Sequence, residues 1–317
     1  MMKTVFSIGL RLAVLLFCLS FTVQAQIALR LELSQQHFLQ YEPVFVRVTM
    51  RNLSGHPLAF GENAGLRGIL RFEIHSDSGR YSLLLGKETP PLKGVILQPG
   101  ASRSVTFNIA RYYDVRRLDH YSIKAVISHP QLKSAYESDP VSFSVVSGRE
   151  VWQAVVGVPR YLLQNDNAQI PTRRYRLVSY NTGKRFVYVL LVEDKDRIYL
   201  IRRLGVDLGM DLAPQCAVDD LSRANVLISA SPKVFAYFQF DVTGKLEKRE
   251  VRIKTDSRPR LVVNRDTGTV VLSGGRLARR DLDYEEIKEL PFVSQAMSGD
   301  TKDITRGKSI IDEKDDD

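Results

Sequence analysis

The eight residues Val44-Phe45-Val46-Arg47-Val48-Thr49-Met50-Arg51 decide how this chain is read. Val44, Val46, Val48 and Met50 alternate with Phe45, Arg47, Thr49 and Arg51. Successive side chains of a strand point to opposite faces, so a period of two puts one face on a core and the other in water. The pattern returns at Leu70, Phe72 and Ile74, at Val105, Phe107 and Ile109, at Tyr121, Ile123, Ala125 and Ile127, and at Val141, Phe143 and Val145. Turn chemistry falls between the runs, at Asn52 to Pro57, Asp77-Ser78-Gly79 and Pro99-Gly100. About seven short strands over residues 27–147 predict an antiparallel sandwich, placed as a first domain over 26–148.

Three stretches give this region a family flavour. They are Tyr41-Glu42-Pro43-Val44 to Asn52, then Leu97-Gln98-Pro99-Gly100, then Tyr113-Asp114 to Leu118 and Tyr121. Together they resemble a bacterial immunoglobulin-like sandwich of the kind that includes the BsuPI-type proteinase inhibitors. The resemblance implies that Tyr121 is a corner tyrosine whose hydroxyl ties a crossing loop to the backbone. Asp119 stands where such corners usually have Gly. The likeness covers the first 120 or so residues after the leader and carries no functional residue across, because fold does not fix function.

Beyond a junction at 148–160 and a polar loop at 164–172, strands resume. They are expected at Tyr175 to Tyr180, Phe186 to Val192, Ile198 to Ile201, Asn225 to Ser229, Val234 to Phe240, Val251 to Ile253, Leu261 to Val263 and Thr269 to Leu272. Asn181-Thr182-Gly183, Asp194-Lys195-Asp196, Asp241 to Gly244 and Asp266-Thr267-Gly268 read as hairpin turns, since Gly and Asp tolerate left-handed backbone. This predicts a second β-rich domain over 149–292, a meander with a weak likeness to propeller blades. Three blades' worth of chain is too little to close a propeller, which needs at least about four. The whole is predicted to be all-β. Asp283 to Leu290 could form a short helix, and 293–317 reads as a disordered acidic tail.

The N-terminus reads as an address. Lys3 and Arg11 precede an apolar run from Leu12 to Val23, and Val23-Gln24-Ala25 suits cleavage between Ala25 and Gln26. The run is shorter than the roughly 20 residues a membrane span needs. Residues 1–25 are therefore expected to be a signal peptide. The remaining chain is expected in the periplasm, at the cell surface or outside the cell, and not transmembrane. Cys18 would leave with the leader, so Cys216 stays single and no intramolecular disulfide forms. Cys216 reads as a small buried hydrophobe.

Charge is uneven. The chain carries +9, of which the leader holds two cations. Residues 281–317 contain 12 acidic and 5 basic side chains, leaving 26–280 at +14. A basic body suits an acidic polysaccharide or an acidic envelope protein, while export argues against nucleic acid. Dispersed charge that serves only solubility is the simpler reading.

No catalytic constellation stands out. His37, His56, His75, His120 and His129 all precede residue 149, so the second domain has no Ser-His or Cys-His dyad of its own. His56, His75 and His120 read as surface residues, and no pair shows zinc-ligand spacing. No cofactor is implied. The segment Arg203 to Ala224 reads as the longest irregular stretch. Within it Asp207, Asp211, Asp219 and Asp220 could bind calcium, serve as a glycosidase acid and base, or simply cap backbone amides. Asp219 and Asp220 are candidate ligand-binding residues, as are Arg258 and Arg260, which flank Pro259 near Lys245, Lys248, Arg249, Arg252 and Lys254. The alternative for that basic cluster is an edge strand guarded against aggregation. Asn52-Leu53-Ser54 matches a glycosylation sequon.

The sequence therefore leads to an exported, non-enzymatic binding or structural protein of the cell envelope. A carbohydrate-active enzyme or lectin using the second domain is one alternative, and a proteinase inhibitor using the first is another.

Overall fold

The computed structural model describes residues 26–61, 63–86, 90–92, 94–162, 170–209, 212–279 and 282–283. The expected leader, most of the short helix and the acidic tail lie outside these residues. In chain order the first half supplies β1 (Ile27–Leu33), β2 (His37–Leu39), β3 (Phe45–Asn52), β4 (Leu58–Ala59), β5 (Ile69–Ser76), β6 (Ile96–Leu97), β7 (Ser102–Asn108), β8 (Asp119–Ser128), β9 (Tyr136–Glu137) and β10 (Val141–Val146). One sheet runs β1-β3-β7 and a second runs β2-β10-β8-β5, with β9 added beside β8 and β4 paired with β6. All these pairings are antiparallel except that of β2 with β10, which is parallel.

The alternation that opened the reading sets this packing. Val46, Val48 and Met50 are fully buried, and they meet Leu70, Phe72, Ile74, Ile123, Ala125, Ile127 and Phe143 from the facing sheet in one core. The Tyr121 hydroxyl donates to the Arg117 carbonyl at 3.0 Å, which ties the loop entering β8 to that strand. The hydroxyl of buried Tyr113 accepts the Phe72 amide at 2.8 Å and pins the same loop to β5.

The second half supplies β11 (Arg149–Gly157), β12 (Thr172–Asn181), β13 (Phe186–Glu193), β14 (Ile198–Val206), β15 (Gln215–Val218), β16 (Ala224–Ser229), β17 (Val234–Phe240), β18 (Leu246–Ile253), β19 (Arg260–Val263), β20 (Val270–Ser273) and β21 (Arg276–Leu277). Two antiparallel meanders result, β11-β12-β13-β14 and β15-β16-β17-β18-β21, with β19-β20 as a separate hairpin. Among the described residues no sheet closes into a barrel. The two meanders pack face to face through Leu177, Tyr188, Leu190, Val226, Ile228, Phe238 and Phe240. The hairpin covers the outer face of the second meander, where Leu261 and Leu272 rest on Leu227, Phe235 and Tyr237. Strands buried on both faces read as continuous apolar runs, which is why Phe186 to Val192 shows no clean alternation.

The expected turns hold. Gly183, Gly244 and Gly268 all take positive φ, as their hairpins require. The irregular segment is shorter than expected. Arg203 to Val206 extends β14, and Gln215 to Val218 forms β15 on the edge of β16. Charge hid the first: Arg202 and Arg203 break the apolar pattern, yet the Arg202 guanidinium lies over the Phe240 ring. Brevity hid the second.

The two halves touch. Leu39 and Val146 from the first half pack with Val178, Tyr180, Val187, Val189 and Leu191 on the face of β12 and β13 turned away from the second meander.

Candidate functional site

The four residues singled out in the sequence do not converge. The Asp219 side chain is 1 % exposed and pairs with Arg223 at 2.7 Å. Its other oxygen accepts the amides of Leu221 and Arg223, at 3.1 and 2.9 Å. Asn225, Gln239 and Tyr237 extend the network. Asp219 thus caps the turn before β16, as the amide-capping alternative has it. Asp220 is exposed, and its amide donates to Gly268 at the tip of the β19-β20 hairpin. Arg258 and Arg260 lie at the open end of the same hairpin, where Arg260 pairs with Ser273. About four residues of strand, roughly 13 Å, separate the two ends. The Arg258 guanidinium sits 5.2 Å from the Phe235 ring.

The surrounding basic cluster is divided. Lys248 and Arg252 share Glu250, at 2.7 and 3.2 Å, while Arg249 faces Phe238 at 5.8 Å. Asp207 is likewise occupied: it accepts from Ser179 at 2.6 Å, Tyr188 at 2.7 Å and the Gly209 amide at 2.9 Å. Burial alone would raise its pKa, but these bonds outweigh it and hold the carboxyl below its usual range. Asp211 lies outside the described residues. Cys216 packs against the core between the meanders, and burial pushes its thiol up to about 12. His129 is buried, with Nε2 at 3.0 Å from the Ala59 carbonyl and its ring edge-on to Phe60. The Asn52 amide is buried and donates to the His56 and Leu97 carbonyls, so the sequon asparagine is not presented to solvent. Among the described residues, no group of three His, Cys, Asp or Glu side chains is arranged to hold a metal.

What tertiary structure builds instead is a cleft of about 830 Å³ between the halves. The first half lines it with Tyr41, Glu42, Asn108, Arg111 and Arg116, and the second with Arg174, the turn Glu193 to Arg197, and Tyr199. Behind Glu42 lies a latch. Arg203 reaches Glu42 at 2.7 Å, Tyr180 at 2.7 Å and Gln35 at 2.5 Å, and the Tyr180 hydroxyl donates to Glu42 at 2.5 Å. Burial first, and then Glu42, push the Tyr180 hydroxyl well above its ordinary pKa. Tyr41 closes the turn before Glu42 with φ 68, and the Glu42 amide bonds the Leu39 carbonyl at 2.9 Å. A tyrosine in the left-handed region is costly, by about 1–2 kcal/mol, and such strain gathers at functional sites.

The cleft's charge is one-sided. Arg111, Arg116, Arg174, Lys195 and Arg197 face Glu42, Glu193, Asp194 and Asp196. Three of those carboxylates pair with arginines from outside the lining, Glu42 with Arg203, Glu193 with Arg176 and Asp194 with Arg173, and Glu193 is also 3.9 Å from Arg174 of the lining itself. The Tyr199 hydroxyl donates to Asp194 at 2.7 Å, and that bond leads the causes that lower the Asp194 pKa. Arg173 and Arg197 lie over the Tyr199 ring, at 3.9 and 5.2 Å. The remaining field is positive. In the sequence, Glu42 belonged to a strand entry and Lys195 to a turn. Only the strained Tyr41 marks the place, and its φ is not legible from residue types.

No family model matches the chain, and no curated protein matches it. Among solved structures, the sporulation control protein Spo0M from Bacillus subtilis is similar over 57% of this chain and 90% of its own, at 9% identity and a TM-score of 0.26.

Proposed function

We propose that this chain is an exported, non-enzymatic binding protein of the cell envelope, and that it holds an acidic polymer, such as a uronate-bearing polysaccharide, in the cleft between its two halves. The observation that carries this reading is the charge of the cleft: five cations line it against four carboxylates, and three of those carboxylates also pair with arginines from outside the lining. Arginine and lysine at the rim of a strained, latched cleft suit repeating carboxylates through charge-assisted hydrogen bonds. The parallel pairing of β2 with β10 and the Tyr121 hydroxyl bond support an immunoglobulin-like reading of the first half. The leader supports export, which would bring the basic body to acidic envelope polymers.

The test is calorimetric titration of the chain from Gln26 with polygalacturonate and with neutral dextran, at low and high salt. Binding should be confined to the acidic polymer and weaken with salt. The double variant Lys195→Glu and Arg197→Glu should lose about tenfold or more in affinity, as reversing charges that face a polyanion does. Equal affinity for the two polymers would overturn the reading. So would polymer cleavage that disappears when one carboxylate is replaced.

A further inference from the structure

A second surface of the first half lies outside the pairing of its sheets. After β5 the chain runs back along the loop that precedes β8. Tyr81 bridges to His75, the Asp114 amide donates to Leu83 at 3.0 Å, Leu84 pairs with Tyr113, and the Leu85 amide donates to Tyr112 at 2.7 Å. The backbone is thus held first to β5, through His75, and then to the loop segment Tyr112 to Asp114, whose Tyr113 is buried. The side chains it carries are nonetheless turned out: Tyr81 is 67 % exposed, Leu83 74 %, Leu84 44 % and Leu85 46 %. Leu118, four residues beyond Asp114, is exposed as well. Consecutive exposed leucines on an anchored backbone are not loose coil; they form a fixed apolar ridge of the kind that marks an interaction surface.

The flanks of the ridge are basic. Arg80 precedes it, and Arg116 and Arg117 follow the loop segment it pairs with; all three are exposed. Of the described acidic residues near it, Asp114 is half-buried, with its side chain turned to the Arg116 amide at 3.4 Å, and Asp77, in the turn before Arg80, is exposed. A protein partner large enough to cover the leucines would need its own carboxylates spaced to match three arginines. An anionic bilayer offers both parts in fixed order, phosphates at the surface and acyl chains a few ångströms below. Guanidinium pairs with phosphate, leucine side chains reach the acyl boundary, and tyrosine sits at headgroup depth.

We infer that the Tyr81–Leu85 ridge and its flanking arginines dock the protein peripherally on an anionic lipid surface. The ridge inserts shallowly and the arginines set the requirement for negative lipid. Arg116 borders both this surface and the polymer cleft, but the residues varied to test each are separate: Arg80 and Arg117 do not line the cleft, and Lys195 and Arg197 do not flank the ridge.

Flotation of the chain from Gln26, which carries every described strand, with vesicles of phosphatidylcholine alone or mixed with phosphatidylglycerol is the test. Binding is expected to the mixed vesicles and to fall with salt. The variant Leu83→Ser with Leu85→Ser should weaken it roughly tenfold or more, given the apolar area removed. Arg80→Gln with Arg117→Gln should weaken it by about fivefold per arginine. Both pairs are exposed, so unchanged thermal unfolding checks that the fold is intact. A tryptophan placed by Leu85→Trp should be quenched by brominated acyl chains, with the Trp152 signal of the parent subtracted. Absence of vesicle binding, or binding unaffected by the serine pair, would overturn the inference. So would conversion of a dimer to a monomer by the serine pair, which would assign the ridge to self-association. Loss of polygalacturonate binding with vesicle binding intact would strike the cleft reading alone.

Discussion

Asp207 is the residue at which sequence and structure part most clearly. Its type and place between two strands admit metal binding or acid catalysis. Its neighbours give it another role, because Ser179, Tyr188 and the Gly209 amide occupy both oxygens and leave the side chain 8 % exposed. Its folded pKa lies below the unfolded value of about 3.9. The stability it contributes is therefore present above that unfolded value and is lost as the pH falls through the folded one. Urea unfolding should show Asp207→Asn destabilised by about 1–2 kcal/mol at neutral pH, with the gap from wild type narrowing below about pH 4. A gap that stays constant with pH would mean that the carboxylate's charge is not what the site uses. Asp219 teaches the same lesson: a buried aspartate paired with Arg223 and two amides holds a turn.

Among elements, the β19-β20 hairpin depends most on a few backbone positions. It lies on the second meander through Leu261 and Leu272, and two left-handed glycines, Gly274 and Gly275, return the chain to β21. A Cβ on Gly274 would come within 2.6 Å of the Arg258 carbonyl oxygen, which cannot move without shifting the hairpin. Gly274→Ala should cost roughly 1–3 kcal/mol. Hydrogen exchange should speed up at the Leu261 amide, which bonds the Gln215 side chain at 2.8 Å, ahead of the core strands. The hairpins were legible in the sequence because glycine and aspartate mark them locally. The extension of β14 was not, because Arg202 and Arg203 find their aromatic and acidic partners in distant segments.

At the scale of the whole molecule, the latch decides how the halves act together. Arg203, Glu42, Tyr180 and Gln35 come from both halves, and Leu39 and Val146 add apolar contact beside them. Removing the arginine leaves the Glu42 carboxylate, 10 % exposed, facing a tyrosine hydroxyl without its cation. Because the Arg203 side chain is itself 38 % exposed, the expected loss is below that of a fully buried pair, about 2 kcal/mol. Calorimetry of Arg203→Ala should resolve two unfolding transitions where the parent shows one, and polymer affinity should fall because the cleft walls are no longer held together. A single transition at the parent temperature would show that Leu39 and Val146 suffice to couple the halves.

The sequence by itself determined what is local. Period-two alternation fixed the all-β character and the faces that Val46, Val48 and Met50 bury, and turn residues fixed most hairpins. Tertiary structure decided which charged groups are spent and which are offered. It buried Asp219, split the basic cluster around Arg252, gathered Glu42, Arg116, Arg174 and Lys195 at one cleft, and set Arg203 on Glu42. A strand's apolar period follows from the geometry of its own backbone. The partner of a long charged side chain depends on segments more than a hundred residues away, as Arg203 and Glu42 are, and no local pattern encodes that distance.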